Sequence, residues 1–324
     1  MGSTNPDKRQ SDDFADGEIG RLIPFRSRLR GALQNSGRVQ SEENPNNQRK
    51  WADVSKLLFA LNPEYAQICL DKLSKIDPTA STADKTDRIM QILAEYSPDT
   101  EIHCTSIKEM IEREGEFVGK PGFSAFSGID FQSFADAMER HDIGKVGMPK
   151  SILDPASGML YGQRERTVKE THPIVGYLIL KKLGFDVNTQ RFSLTHHLRY
   201  KTDESGAVIL SGYPREEFIR FCEKNSLSPK LRTEDHLAAF TDVFAALTDQ
   251  KHRRSNVHGM DFQQSEMDVC LQALEKMSTN KAPDLFADDY YQKGEGRALF
   301  EAFAAAMIEI ARKGGPEIDM PKAA

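Results

Sequence analysis

Long apolar runs are missing from this 324-residue chain: no stretch approaches the ~18–20 uninterrupted residues that a membrane-spanning helix needs. A basic excess is missing as well. With 43 Lys+Arg against 49 Asp+Glu, the formal charge is −6, which argues against a nucleic-acid binder held by phosphate neutralisation. Cysteine is sparse: Cys69, Cys104, Cys222 and Cys270 are scattered, with no C-x-x-C pair. That excludes a disulfide framework and a zinc knuckle and predicts reduced thiols in a cytoplasmic protein. The opening MGSTNPDKRQ lacks the apolar core of a signal peptide. No G-x-G-x-x-G or Walker sequence occurs, so glycine-rich phosphate cradles of those kinds are excluded. What remains, 28% charged and 39% hydrophobic residues, is the balance of a soluble globular protein. The length allows one large domain or two modest ones.

Residues 1–50 are rich in Asn, Gln, Ser, Asp and Arg, with little periodic apolar content, the composition of a largely disordered or extended arm. Within it, RLIPFRSRLRGAL (21–33) has the spacing of a short basic amphipathic helix, with Arg26 and Arg30 on one face. The plainer reading of that segment is an arm laying a few apolar residues on the body. From Trp51, the stretches WADVSKLLFAL, PEYAQICLDKLSKI and TADKTDRIMQILAEY each show helical spacing, predicting a small helical module over 51–97. Residues 98–324 form the main domain, with helices predicted over 103–113, 131–140, 165–183, 189–197, 234–248, 266–277 and 297–312. The one strand signal is YKTDESGAVILSGYP (200–214), with a tight turn at Glu204-Ser205-Gly206 and a short strand over 207–210. The expected fold class is therefore all-α: a helical bundle, a small helical N-terminal module and a short β-hairpin insertion.

Most of the eight histidines fall in an ordered series with two aspartates: His103, His141-Asp142, His172, His196-His197 and Asp242. A single histidine such as His172 has an ordinary explanation as a locally hydrogen-bonded helix or turn residue. Asp242 is harder to dismiss. It sits in HLAAFTDVFAALT among Val243, Phe244, Ala245, Ala246 and Leu247, and a buried carboxylate needs a cation, a set of donors or a metal. Adjacent helical residues point about 100° apart, so His141 and Asp142 cannot grip one ion as an i, i+4 pair would. Near a helix end both can reach one ion while Asp142 extends to a second, because a carboxylate has two oxygens and an imidazole one free nitrogen. Lys145, three residues after Asp142 and four after His141, shares their face. Gly144 leaves room for a ligand backbone or a phosphate. Mixed imidazole and carboxylate ligation suits Fe, Mn, Co, Ni or Zn better than Ca or Mg.

The stretches HDIGKVGMPKSIL (141–153), THPIVGYLILKKLG (171–184), THHLRY (195–200), SGYP (211–214) and FTDVFAALTDQKHRR (240–254), taken in order, resemble the HD-GYP family, a branch of the HD-domain metal-dependent phosphohydrolases. The resemblance covers about residues 95–315. It implies an HD-domain helical bundle that hydrolyses cyclic di-GMP or a related cyclic dinucleotide with two or three divalent metal ions, commonly iron or manganese. It implies further that His103, His141, Asp142 and Asp242 hold one metal, and that Asp142 bridges to a second held by His172, His196 and His197. Lys145 would contact the scissile phosphate or position the nucleophile, and Asp99, four residues before His103, stands where three-metal members carry an acidic ligand. Tyr213 and Arg254, with Arg253 beside it, are the candidates for base stacking or phosphate contact.

The chain departs from the family pattern in three places. The link from His197 to Gly212 is longer than usual, the usual glutamate after the second histidine is Leu198, and the usual RPYR appears as KHRR (251–254). The ligand set is thus complete while the substrate-facing loop is altered. The inserted hairpin over 200–211 is expected to act as a mobile rim with no core of its own, dispensable for folding. The expected partners are the cyclic dinucleotide and, through the N-terminal region, a second copy of the chain or a signalling protein; neither a nucleic-acid polymer nor a membrane is expected. Two other readings stay open: a catalytically weak dinucleotide receptor, and an HD phosphohydrolase acting on another nucleotide.

Overall fold

The computed structural model describes residues 51–153, 162–248, 265–279 and 286–313. The arm over 1–50, with Arg26 and Arg30, and the candidate contacts Arg253 and Arg254 lie outside the described residues. The described chain is mostly helical, with one two-stranded antiparallel sheet among the described residues. No helix there is long and apolar enough to cross a membrane. Cys69, Cys104, Cys222 and Cys270 are all buried and unbridged.

Three helices open the described chain: α1 (Ala52–Leu61), α2 (Pro63–Leu73) and α3 (Thr82–Tyr96). Pro63 starts α2 where its missing N–H costs nothing, and the Ser81 hydroxyl caps α3 by accepting from Asp84 N. Their apolar faces join Ile143, Val146, Met148 and Ile152 and the buried face of a later helix in one cluster. Polar contacts reinforce this docking. Asn62 Nδ2 donates to the Met148 carbonyl at 3.0 Å, the Tyr96 hydroxyl donates to the same oxygen, and Cys69 Sγ reaches the Val146 carbonyl at 3.3 Å. The module therefore grips the chain on both sides of Gly147, just beyond Lys145.

Helix α4 (Pro98–Glu114) begins directly after Ser97. Next come α5 (Phe131–Met138), a 3₁₀ turn over Ile143–Gly147, α6 (Lys150–Leu153) and α7 (Gln163–Lys169). Helix α8 (His172–Lys182) then follows. The single helix expected over 165–183 is thus two helices. Pro173 supplies no N–H to continue the ladder back to Lys169 and is favoured in a first turn, so one helix ends at Lys169 and the next starts at His172. The break puts His172 on the first residue of α8.

Helix α9 (Val187–Thr195), capped by Asp186 accepting from Asn188 N and Thr189 N, ends at the His196-His197 pair. Strands β1 (Leu198–Thr202) and β2 (Val208–Gly212) follow at once, pairing Leu198 with Gly212 and Thr202 with Val208. The chain closes with α10 (Arg215–Lys224), α11 (Thr233–Thr248), α12 (Glu266–Thr279), α13 (Asp289–Gln292) and α14 (Gly294–Arg312). A second apolar cluster joins α4, α5, α11, α12 and α14. A third gathers Leu194, Leu198, Phe218, Phe221, Cys222 and Leu231.

The hairpin departs from expectation. It is longer than the strand signal implied, and its stem is built into the core. Leu198 is fully buried in the third cluster, with Tyr200 and Leu210 packed against it. Tyr200 N donates to the Tyr291 hydroxyl at 3.2 Å, Thr202 N to Asp288 Oδ1 at 2.8 Å, and Leu231 N to the Tyr200 hydroxyl at 2.9 Å. A two-stranded ribbon is marginal alone and holds when it packs on other elements, which is what β1 does. The stem is a brace; the continuously exposed part is 204–208, around the turn.

Candidate metal centre

Five separate elements bring the predicted residues together. His103 comes from α4, His141 and Asp142 from the turn after α5, His172 from the start of α8, His196 and His197 from the end of α9, and Asp242 from α11. Two groups of ligand atoms result: His103, His141, Asp142 and Asp242 in one, His172, His196 and His197 in the other. They lie where the three apolar clusters meet. On α4, Cys104 belongs to the first cluster and Ile107 to the second. On α9, Phe192 belongs to the second and Leu194 to the third.

Asp142 joins the groups. Its Oδ2 lies 3.4 Å from His141 Nε2, and its Oδ1 lies 3.1 Å from His172 Nε2 and 3.8 Å from His196 Nε2. Asp242 spans them too, a role not read from the sequence. Its Oδ1 is 2.9 Å from His103 Nε2 and 3.6 Å from His141 Nε2, while its Oδ2 is 3.7 Å from His197 Nδ1.

Three of the histidines are oriented by one device. His141 donates from Nδ1 to the Met138 carbonyl at 2.7 Å, His172 to Lys169 at 2.6 Å, and His196 to Phe192 at 3.1 Å. Each accepting oxygen belongs to the last turn of a helix, where a carbonyl's second lone pair can take a side-chain donor; those of Met138 and Phe192 also accept the backbone N–H of His141 and His196. A carbonyl can only accept, so Nδ1 carries the proton and, in the neutral ring, Nε2 presents its lone pair to the centre. The consequence is two acceptors face to face: His172 Nε2 lies 3.1 Å from His196 Nε2, with His197 Nε2 3.2 Å from His172 Nε2. His141 Nε2 and Asp142 Oδ1 are buried with no hydrogen bond, and Asp142 Oδ2 has the Lys145 ammonium as its ion-pair partner. Such a set is satisfied by cations between the lone pairs, so the residues present fit divalent metal ions.

Electrostatics agree for four of the five histidines. Burial holds His103, His172 and His197 below the ordinary imidazole value. Burial, reinforced by His141, drives His196 down to about 3. These rings are neutral at neutral pH, the form a metal requires. His141 is the exception: burial opposes its charge, but Asp142 and the contact with Asp242 outweigh it and raise it well above the ordinary value. Burial likewise works against ionised Asp142 and Asp242. Lys145 and His141 nevertheless keep Asp142 well below the usual carboxylate range, and His103, His141 and His197 do the same for Asp242.

The Lys145 ammonium is ion-paired to Asp142 Oδ2. The segment is a 3₁₀ turn, Lys145 N donating to the Asp142 carbonyl at 2.9 Å, and residues three apart in such a turn stand in line. Lys145, His197 and His103 have side chains 18%, 15% and 11% exposed, against at most 7% for the remaining candidate ligands. Access is from their edge. Tyr213 stands there, its ring centroid 4.6 Å from that of His197. Gly212 has φ +95° and lies against the His197 carbonyl, which an added Cβ would meet at 2.1 Å; only glycine allows β2 to close so near the ligand pair.

Two expectations need placing. Gly144 does not open space for a ligand. A Cβ there would meet the His172 carbonyl oxygen at 1.8 Å and Gly176 N at 2.5 Å, so it is the protein's own backbone that approaches. The Ser193 hydroxyl sits at the same junction, 3.2 Å from the carbonyls of both His141 and Pro173. Asp99 lies one turn before His103 on α4, is exposed, and belongs to neither ligand group.

The supporting network was not legible. Arg191 on α9 is paired to buried Asp235 on α11 at 2.6 Å, and the Thr195 hydroxyl donates to the same carboxylate at 2.9 Å. Asp235 precedes Asp242 by two helical turns, so this pair sets the His196-His197 helix against the Asp242 helix. The signal that could have found it is an aspartate in the first turn of an otherwise apolar helix, which the helix dipole alone also explains. Comparisons of the chain with family models, with curated proteins and with solved structures give no match.

Proposed function

We propose that this chain is a cytoplasmic metal-dependent phosphodiesterase of the HD-GYP type, hydrolysing cyclic di-GMP or a related cyclic dinucleotide to the linear dinucleotide and onward to GMP. The observation that carries the proposal is Asp142, whose two oxygens face two separate imidazole groups at 3.4 Å and 3.1 Å. This is the arrangement of a bridging carboxylate in a two-metal site. His103, His141, Asp142 and Asp242 would hold one ion; His172, His196 and His197, with Asp142, would hold the other. Iron and manganese suit this donor set.

When bound, the ions supply Lewis-acid activation of a water and neutralise the anionic diester. The protein's own residues do the rest. The carbonyl-anchored rings of His172 and His196 present their lone pairs without reorganising. Lys145, at the accessible edge and steadied by Asp142, places positive charge where negative charge develops on the phosphate. The ring of Tyr213 lines the same edge and offers a face to a base.

The test is metal analysis of anaerobically purified protein, followed by turnover on a panel of cyclic dinucleotides. The expected result is two metal ions per chain and a linear dinucleotide product. Tight binding of the dinucleotide by fully loaded protein with no turnover would make it a receptor instead. Hydrolysis confined to other nucleotides would make it a different HD phosphohydrolase.

A further inference from the structure

The site continues along β1. Side chains alternate across a strand, and Leu198 points into the third apolar cluster. Its neighbours His197 and Arg199 therefore share the opposite face. A partly open surface depression lies there, lined by His196, His197, Leu198, Arg199, Ala239, Val243 and Phe286. The candidate ligand pair and Arg199 both line it. Between them the wall is apolar, with Phe286 and Ala239 buried and Val243 next to the ligand Asp242.

Arg199 is half-buried, and its guanidinium makes no hydrogen bond or ion pair among the described residues. A guanidinium offers five donors in a planar fork suited to phosphate oxygens. Arg199 lies two residues beyond His197, about 7 Å along the strand at ~3.3 Å per residue, before the reach of its side chain is added. That exceeds the span of one phosphate group and suits a second phosphate on the same small molecule. The resemblance noted above has a glutamate after the second histidine. Here that position turns inward as Leu198, and the residue facing the cleft is a cation.

We propose that Arg199 is a substrate-binding residue that holds the second, non-scissile phosphate of a cyclic dinucleotide, with the apolar wall of the cleft beside it. This rests on the phosphodiesterase reading above. It adds to that reading a source of selectivity: diesters that carry a second anion are preferred over diesters that carry one.

The experiment compares metal-loaded wild type with Arg199→Gln and Arg199→Lys on cyclic di-GMP and on bis(4-nitrophenyl) phosphate, a diester with a single phosphate. Metal content is measured for each protein. Losing a charge-assisted phosphate contact should lower the preference for cyclic di-GMP, as the ratio of the two kcat/KM values, by about 10- to 100-fold in Arg199→Gln. The loss should reside in KM, and Arg199→Lys should recover part of it. An unchanged preference overturns the proposal, as does a loss of metal in Arg199→Gln, which would make the residue structural. If the wild type hydrolyses neither diester, the phosphodiesterase reading fails while Arg199 is still judged by equilibrium dialysis of cyclic di-GMP. Wild type should bind about 10- to 100-fold more tightly than Arg199→Gln, and equal binding overturns the assignment.

Discussion

His172 and His196 hold their Nε2 atoms 3.1 Å apart although each ring has already given its Nδ1 proton to a backbone carbonyl. Two lone pairs facing each other in a buried place repel unless a cation lies between them. The protein should therefore be more stable with metal than without. Thermal denaturation in excess Mn²⁺ and after chelation checks this. Binding to the folded state alone adds about 2.7 kcal/mol at a metal concentration 100 times Kd, and the gain grows with concentration. Equal melting temperatures in both conditions would count against the cluster as a metal centre.

Asp142 and Lys145 touch each other but should fail differently when removed. Asp142→Ala takes a ligand atom from both groups at once and should lose metal and turnover together. Lys145 cannot ligate while protonated. Lys145→Ala should keep its metal and lose on the order of 10²-fold in kcat, the scale of one deleted transition-state donor. Full metal occupancy in Asp142→Ala would remove the bridge; unchanged turnover in Lys145→Ala would remove the ammonium from the chemistry.

Gly144→Ala should be among the most damaging single-methyl additions in the chain. The atoms in its way, His172 O and Gly176 N, are backbone and cannot rotate aside. The turn carrying Asp142 must then part from the helix start carrying His172. Overpacking of this kind costs about 1–3 kcal/mol and occasionally more, and metal content should fall with stability. A variant with normal melting temperature and normal metal content would contradict the close approach.

Glu114 makes stability depend on pH. It is fully buried; the Thr241 hydroxyl donates to its Oε1 at 3.1 Å, and its Oε2 has no partner. Burial, partly offset by that hydrogen bond, pushes the carboxyl from its ordinary 4.5 up to about 8. Between those values the unfolded chain releases a proton that the folded chain keeps. Its contribution is thus intact below about pH 4.5 and is lost as pH rises through about 8, at up to roughly 1.4 kcal/mol per pH unit. Glu114→Gln keeps the shape and removes the ionisation. Its melting temperature relative to wild type should rise between pH 5 and pH 8, and parallel pH profiles would show that the carboxyl does not titrate in the fold.

The helices were legible where apolar residues recur with helical spacing, as in 234–248 and 266–277, and the candidate ligands were legible because His and Asp are few and fall in a distinctive order. The break at Thr171 was written in Pro173 but lost under the strong periodicity on either side of it. The hairpin stem was misjudged because its support comes from Tyr291, Asp288 and Leu231, tens of residues away.

By itself the sequence determined the all-α class, the inventory of candidate ligands and the adjacency of His141 to Asp142, because periodicity and residue chemistry are local properties. Tertiary structure decided which oxygen of Asp142 faces which group, that Asp242 spans both, that Gly144 serves backbone contact, and that Arg199 shares a cleft with His197. These depend on how five elements meet at the junction of three apolar clusters, and long-range packing geometry leaves no periodic mark on the chain.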